Sequence, residues 1–361
     1  MPPGSVKEMV NIIAHPANKK YDLIAARSKY NLFSINTPFS KRFIRESAFV
    51  NYPNYSSLYY NCFGVDIFCG KGIFRVKQFY NKLDGIFPDN KLLSHDIIEG
   101  AVLTTASGYI VYEDAPKNFI ADRERRKRWQ RGDIQFLPFL GKHWKNKEGE
   151  RYASEISPIY KFLMASNVLA IISPILIFAA GIIALVYKEL WPLFVFAAFA
   201  PLALEIFAVF RNAVYQRYRP MYLFCDLGSA ILNYIIEFGL LPYYVFSNLQ
   251  VLITTLWRMA ANGNLLEWKT YYQSQTQGGK FAKEVCPSML ILPVAGIALM
   301  LGGAGVMPLL IFAVFSYLVY LGIYLSGYSR PEKTEFKDII TGYAEKTYGY
   351  FKYMRKEGSL I

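Results

Sequence analysis

The chain has 361 residues, 53% hydrophobic and 17% aromatic, with 40 basic against 27 acidic side chains and a formal net charge of +13. Such a charge suits nucleic acid, anionic lipid or a phosphorylated substrate. Here Lys and Arg flank long apolar runs, as on the cytoplasmic face of a membrane protein, which argues against a nucleic-acid partner. Four cysteines without a CxxC pair give no disulfide framework, and three scattered histidines (His15, His95, His143) give no metal-ligand spacing.

Residues 1–160 read as an α/β unit. "MPPGSVKEMVNIIAHP" opens an amphipathic helix rather than a signal peptide, with Val6, Met9, Val10, Ile12 and Ile13 expected on one side. "GVDIFCGKGIFRV" predicts strand, glycine turn, strand; its core "FCGKG", Phe68 to Gly72, is a tight turn or a place where backbone approaches a ligand. In "NKLLSHDIIEG", Ser94 is the expected N-cap of a short helix ending at Gly108. That puts Asp96 at the positive end of a helix dipole, which keeps it ionised. A helix-start acid is the plainer reading, and the same placement serves a general base, which must be unprotonated. "GYIVYED" follows as a strand with acids at its end. Short helices, strands and turns alternate as in a nucleotide-binding α/β domain, but the units are too few for a complete doubly wound sheet.

"ADRERRKRWQRGD" places Arg125, Arg128 and Trp129 at i, i+3 and i+4, on one helical face. Two guanidinium forks and an indole suit a diphosphate beside a sugar ring. A solvated basic helix against anionic lipid explains the same residues. Gly132-Asp133 is expected to end the basic run, with "IQFLPFL" entering the membrane.

Residues 161–328 read as membrane. Charge-free or nearly charge-free stretches predict spans at about 164–187, 190–210, 288–304 and 307–326, long enough at ~20 residues each and arranged as two hairpins. Between them, residues 226–262 are apolar but interrupted by Pro242 and charged groups, which favours helices lying in the interface. Basic flanks put both termini on the cytoplasmic side, with 329–361 a cytoplasmic linker.

The order FCG, S-H-D, RxxRW, paired spans is similar to that of membrane-embedded processive glycosyltransferases of family 2 type, including cellulose synthases. "FPDNKLLSHDIIEG", "IADRERRKRWQRGDIQFLPFL", "NLLEWKT" (Asn264 to Thr270) and the tail from Tyr328 to Ile361 resemble blocks of the cyclic β-1,2-glucan synthase family more closely. The resemblance implies the C-terminal half of a glycosyltransferase A-type domain, α/β, followed by a four-helix transmembrane region in the bacterial cytoplasmic membrane. It implies an inverting hexosyltransferase that moves glucose from UDP-glucose to a glucan acceptor. Asp96 would be the base, Arg125 and Arg128 would stabilise the departing UDP, Trp129 would stack on the acceptor sugar, and Cys69 and Gly70 would line its pocket. Mg2+ would be held by the family's D-x-D region and not by this chain, which is expected to be inactive without that missing half. Another membrane polysaccharide synthase, or a non-catalytic scaffold or pore, are the alternative readings.

Overall fold

The computed structural model describes residues 4–31, 34–43, 63, 68–216, 220–267, 288 and 290–327. The expected linker 329–361, the first strand of the "GVDIFCG" block and Trp268 to Thr270 lie outside the described residues. The described chain is mostly helical, with one small mixed sheet and one two-stranded hairpin.

The sheet forms where β-branched and small residues are concentrated. Strand β1 (Leu23–Tyr30) pairs in parallel with β3 (Thr105–Glu113) and antiparallel with β2 (Gly72–Phe74), in the order β2-β1-β3. A parallel neighbour needs a crossover; here it runs through β2, α2 (Val76–Leu83) and α3 (Asp96–Val102). Helix α1 (Ser5–Ala14) covers the sheet through Met9, which packs on Ala26 and Val111. Met9 and Ile13 are buried, but Val6 and Val10 stay exposed, so the five apolar residues of this helix do not share one buried face.

Two boundaries differ from expectation. Helix α3 is capped by His95, not Ser94, and ends at Val102; Gly108 lies inside β3. Leu103 is already extended, and the Thr104-Thr105 pair that follows is β-branched, so the chain leaves the helix there. Helix α4 (Phe119–Gln135) does not stop at Gly132 but runs on for another turn. Its start is capped by Asn118, whose side chain accepts from the Ala121 N–H at 2.9 Å. "IQFLPFL" then ends α4 and makes a short 3-10 turn, Leu137–Leu140, that leads into the hairpin β4 (His143–Lys145) and β5 (Arg151–Ala153), not into a spanning helix. Phe136 and Phe139 are buried with Trp144, Ile156 and Tyr160.

Beyond this hairpin the chain becomes long and apolar. Helix α5 (Pro158–Val186) and α6 (Trp191–Gln216) form an antiparallel pair joined at Lys188–Leu190. Pro174 removes one N–H from the α5 ladder, and the hydroxyl of Ser173 donates to the Ala170 carbonyl left over, at 3.4 Å. Helices α7 (Pro220–Gly239) and α8 (Leu241–Ala261) follow, bent by 60° at Leu240 across residues expected as interfacial helices. The last pair is α9 (Ile291–Leu301) and α10 (Met307–Leu325). Among the described residues, three helices are long and apolar enough to cross a bilayer, α5, α6 and α10; the bent pair α7–α8 meets the same length and composition only when its two arms are counted as one span. The span expected at 288–304 is an 11-residue helix, short of the ~20 residues of a full crossing.

Helix α8 packs against α4 from Tyr243 to Val251. Phe119 meets Tyr243 with ring centroids 5.2 Å apart, and the Arg123 guanidinium sits 4.6 Å above Tyr244. Further on, Gln130 donates to Asn248 at 3.1 Å, and Ile134 packs with Val251. The α9–α10 hairpin is anchored at both ends. Its turn presses Gly302 against Val186 at the end of α5, while Tyr320 near its other end meets Tyr243 at 5.7 Å.

Candidate functional site

One cavity of about 950 Å3 opens where the small sheet, α3, α4 and α8 converge. Cys69, Gly70, Asp96, Arg125, Arg128 and Trp129 all line it, so the structure brings together the six residues singled out in the sequence.

The turn before β2 is the floor. Gly70 has φ +76°, and a Cβ there would lie 2.9 Å from both carboxylate oxygens of Asp96. Only glycine tolerates both that backbone angle and that approach. Phe68 is buried with Leu23, Ala25 and Leu103 and pins the turn, leaving Cys69 exposed at the cavity. Lys71 reaches across to Ser28 at 2.7 Å and also bonds Glu113 at the end of β3, tying the turn to both longer strands.

The loop carrying Asp96 is set against α4 by a second close approach. A Cβ on Gly132 would come within 2.6 Å of the Ser94 Cβ. The backbone N–H of Leu93 donates to Gln135 at 2.6 Å. Gly132 is therefore the residue that lets S-H-D and RxxRW face one cavity.

Asp96 is half-buried, and burial pushes its carboxyl above the usual carboxylate range; the Glu99 charge adds to this, while His95, Arg128 and Lys71 oppose it. His95 Nδ1 lies 2.7 Å from Glu99 and 4.0 Å from Asp96. The bond to Glu99 raises the imidazole pKa despite burial, with the charges of Glu99 and Asp96 adding to the rise.

On α4, Arg125 and Arg126 both donate to Asp122, at 3.1 and 2.7 Å. The Arg125 guanidinium also lies 4.8 Å from the Trp129 ring centre and bonds the Tyr30 hydroxyl, leaving its buried Nε without a partner. Trp129 is 43% exposed, so its ring has area to offer a ligand. Arg128 faces Asp96 closely enough to act on its charge.

The far wall was not singled out from the sequence. Gln250, Thr254 and Arg258 of α8 line the cavity, joined by Arg131 and Glu267. Their spacing of four residues in an apolar helix was the available signal. Arg258 pairs with Glu267 at 2.7 Å, and Arg131 donates to the Leu265 carbonyl at 3.2 Å, so the described start of "NLLEWKT" is strapped to α4 and α8.

Among the described residues, His95, Asp96 and Glu99 are a group whose ligand atoms lie within 4.8 Å of one another. Mg2+ takes an octahedral set of oxygens, whereas this set contributes an imidazole already bonded to Glu99. These residues do not supply the all-oxygen set that Mg2+ takes.

No family model matches the chain. It is similar to the cyclic beta-(1,2)-glucan synthase NdvB of Rhizobium meliloti (strain 1021), with 26% identity over 235 residues. The match covers 62% of this chain and 8% of that much longer protein. This partial relative supports the family resemblance carried by the sequence blocks.

Proposed function

We propose that the chain is the acceptor-side part of a membrane glucan synthase, an inverting transferase moving glucose from UDP-glucose to a β-1,2-linked glucan. The observation that carries this reading is the convergence of Asp96, Arg125, Arg128 and Trp129, with the Cys69-Gly70 turn, on one cavity. The similarity to a cyclic β-(1,2)-glucan synthase supports the product class.

In this mechanism the Asp96 carboxylate takes the proton of the acceptor hydroxyl. The resulting oxygen attacks C1 of the donor glucose on the side opposite the diphosphate. The C1–O bond to UDP breaks, its electron pair goes to the β-phosphate oxygen, and the anomeric configuration inverts. Arg128, with Arg125 behind it, stabilises the charge that develops on the leaving diphosphate. Trp129 offers its ring face to the acceptor sugar, whose C–H bonds pack on it while its hydroxyls remain solvated. No step is routed through a metal held by this chain. The donor's uridine and metal sites belong, in this reading, to the rest of a glycosyltransferase A-type domain, and the isolated chain is inactive.

In this reading the α/β unit lies on the cytoplasmic face of a bacterial inner membrane, which the cationic residues flanking the apolar helices support. Helix α8 stays at that face, because it runs beside the charged α4 and lines the same cavity.

The test is co-expression of the chain with an upstream segment supplying a D-x-D region, followed by incubation of membranes with radiolabelled UDP-glucose. Polymer degraded by a β-1,2-specific glucanase is expected, and Asp96→Asn should reduce its formation by about 10²-fold or more. Full activity of Asp96→Asn would remove Asp96 from the role of base. Polymer resistant to that glucanase would point to another membrane polysaccharide synthase.

A further inference from the structure

Beside the proposed base Asp96 stands His95, which has no part in the transfer step itself. His95 stands at the N-cap of α3 with its side chain 59% exposed, and its Nδ1 sits between two carboxylates, 2.7 Å from Glu99 and 4.0 Å from Asp96. Ionised carboxylates only accept hydrogen bonds, so Nδ1 carries the proton in this arrangement. Glu99 is the i+4 partner, one turn along the helix, and its side chain is only 15% exposed.

Two carboxylates on one short helix repel each other and favour protonation of one of them. A protonated Asp96 cannot accept a proton from a hydroxyl. The other charges that face Asp96 come from different elements: Arg128 on α4 and Lys71 on the turn before β2. Lys71 is engaged with Ser28 and Glu113, so its charge is shared with a second acid. His95 is the cation on the base's own helix, placed where it offsets Glu99.

We propose that His95 is a positioning residue for the proposed transfer reaction: clamped by Glu99, its imidazolium neutralises that acid and keeps Asp96 ionised as the proton acceptor. This rests on the assignment of Asp96 as base. The step it governs is proton transfer from the acceptor hydroxyl to Asp96; His95 itself transfers no proton to substrate. Its effect is on how far the pH can fall before Asp96 is lost as an acceptor.

The sign follows from the charges. Removing the imidazolium alone leaves Glu99 bare beside Asp96, so the acid limb of the rate profile moves to higher pH. Removing both His95 and Glu99 takes away one charge of each sign and moves the limb back. A residue that merely supported the fold would give losses that accumulate instead.

Two measurements test this separately. The chain has three histidines, so the imidazole C–H signal of His95 can be followed by NMR in the purified chain in lipid nanodiscs. It is expected to titrate above the free value of about 6.5 and to drop in Glu99→Gln. An unchanged midpoint in that variant overturns the clamp, whatever the activity. In the co-expressed active pair, His95→Gln should move the acid limb of kcat/KM upward by about half a unit to one unit, with His95→Gln/Glu99→Gln restoring it. An unmoved limb in His95→Gln overturns the proposal while leaving Asp96 as base. Full activity of Asp96→Asn overturns the base assignment and the proposal with it, whereas the titration still reports whether Glu99 holds the imidazole.

Discussion

Gly70 shows how much of the site hangs on an atom that is absent. Its φ of +76° disfavours any side chain, at about 1–2 kcal/mol for an L-residue, and a methyl group would press on both Asp96 oxygens. Gly70→Ala in the co-expressed pair is expected to lower kcat by about 10–100-fold, since small misplacements of a reacting group are costly, while the protein still folds. A rate within twofold of the unsubstituted pair would show that Asp96 does not need its position against the turn. The glycine was visible in "FCGKG", but not what it faced. Nothing in residues 68–72 names a carboxylate more than twenty positions away. Asp96 was legible as a helix-start acid, and the walls around it are what support the proposal that it is the base.

Helix α4 joins the cavity to the membrane helices, and its polar contacts carry testable energies. Asp133 on α4 accepts from Asn167 on α5 at 3.0 Å, yet burial pushes its carboxyl up to about 6. A folded-state pKa above the unfolded value means that the folded chain binds the extra proton. Stability from this group is therefore lost as pH rises from about 4 through about 6, and stays lost above. Asp133→Asn keeps an acceptor for Asn167 and removes the charge, so the thermal midpoint in nanodiscs should rise at pH 7–8 and stay unchanged near pH 4. A midpoint lowered at both pH values would show that the carboxylate stabilises the joint. One turn away, Asn248 accepts from Gln130 and donates to the Ile171 carbonyl at 2.8 Å, linking α4, α8 and α5. Asn248→Leu strips a buried amide of its partner, which costs about 1–3 kcal/mol and should appear as a lower midpoint in the same assay. The helical face of RxxRW was readable from spacing alone. The continuation of α4 through Gly132 was not, because glycine inside a helix looks like a stop unless the residue packed against it is known.

At the scale of the molecule, the contacts order the helix ends. The α5–α6 turn and the α9–α10 turn lie on the same side, since Gly302 touches Val186, while the far end of α10 returns to the α/β unit through Phe39, whose N–H donates to the Ser326 carbonyl at 2.9 Å. With α8 held beside α4, the two hairpins bring the chain back to the side it left. In the proposed orientation, reporter fusions at Met1 and Ile361 are expected to read cytoplasmic, and fusions after Lys188 and Gly303 to read external. An external reading at Ile361 would mean an odd number of crossings, with either the bent pair α7–α8 adding one or the short α9 failing to make one. The short α9 makes the first of these outcomes demanding, because its 11 residues cover about half of a ~30 Å hydrocarbon core. Composition had located the apolar stretches well, as hydropathy depends on local sequence. It did not report that a charge-free run as long as 287–329 is divided into unequal arms.

The sequence by itself determined the division into a charged α/β part and an apolar helical part, the positions of the α5–α6 hairpin and α10, and the identity of the residues with chemistry to offer. Those properties are local: hydropathy, helical period and side-chain type are all contained in short windows. The tertiary structure decided which of them share one cavity, why Gly70 and Gly132 are glycines, and that α8 completes the wall with Gln250, Thr254 and Arg258. Those depend on close approach between segments distant in the chain, and packing distance is not a property of any one segment.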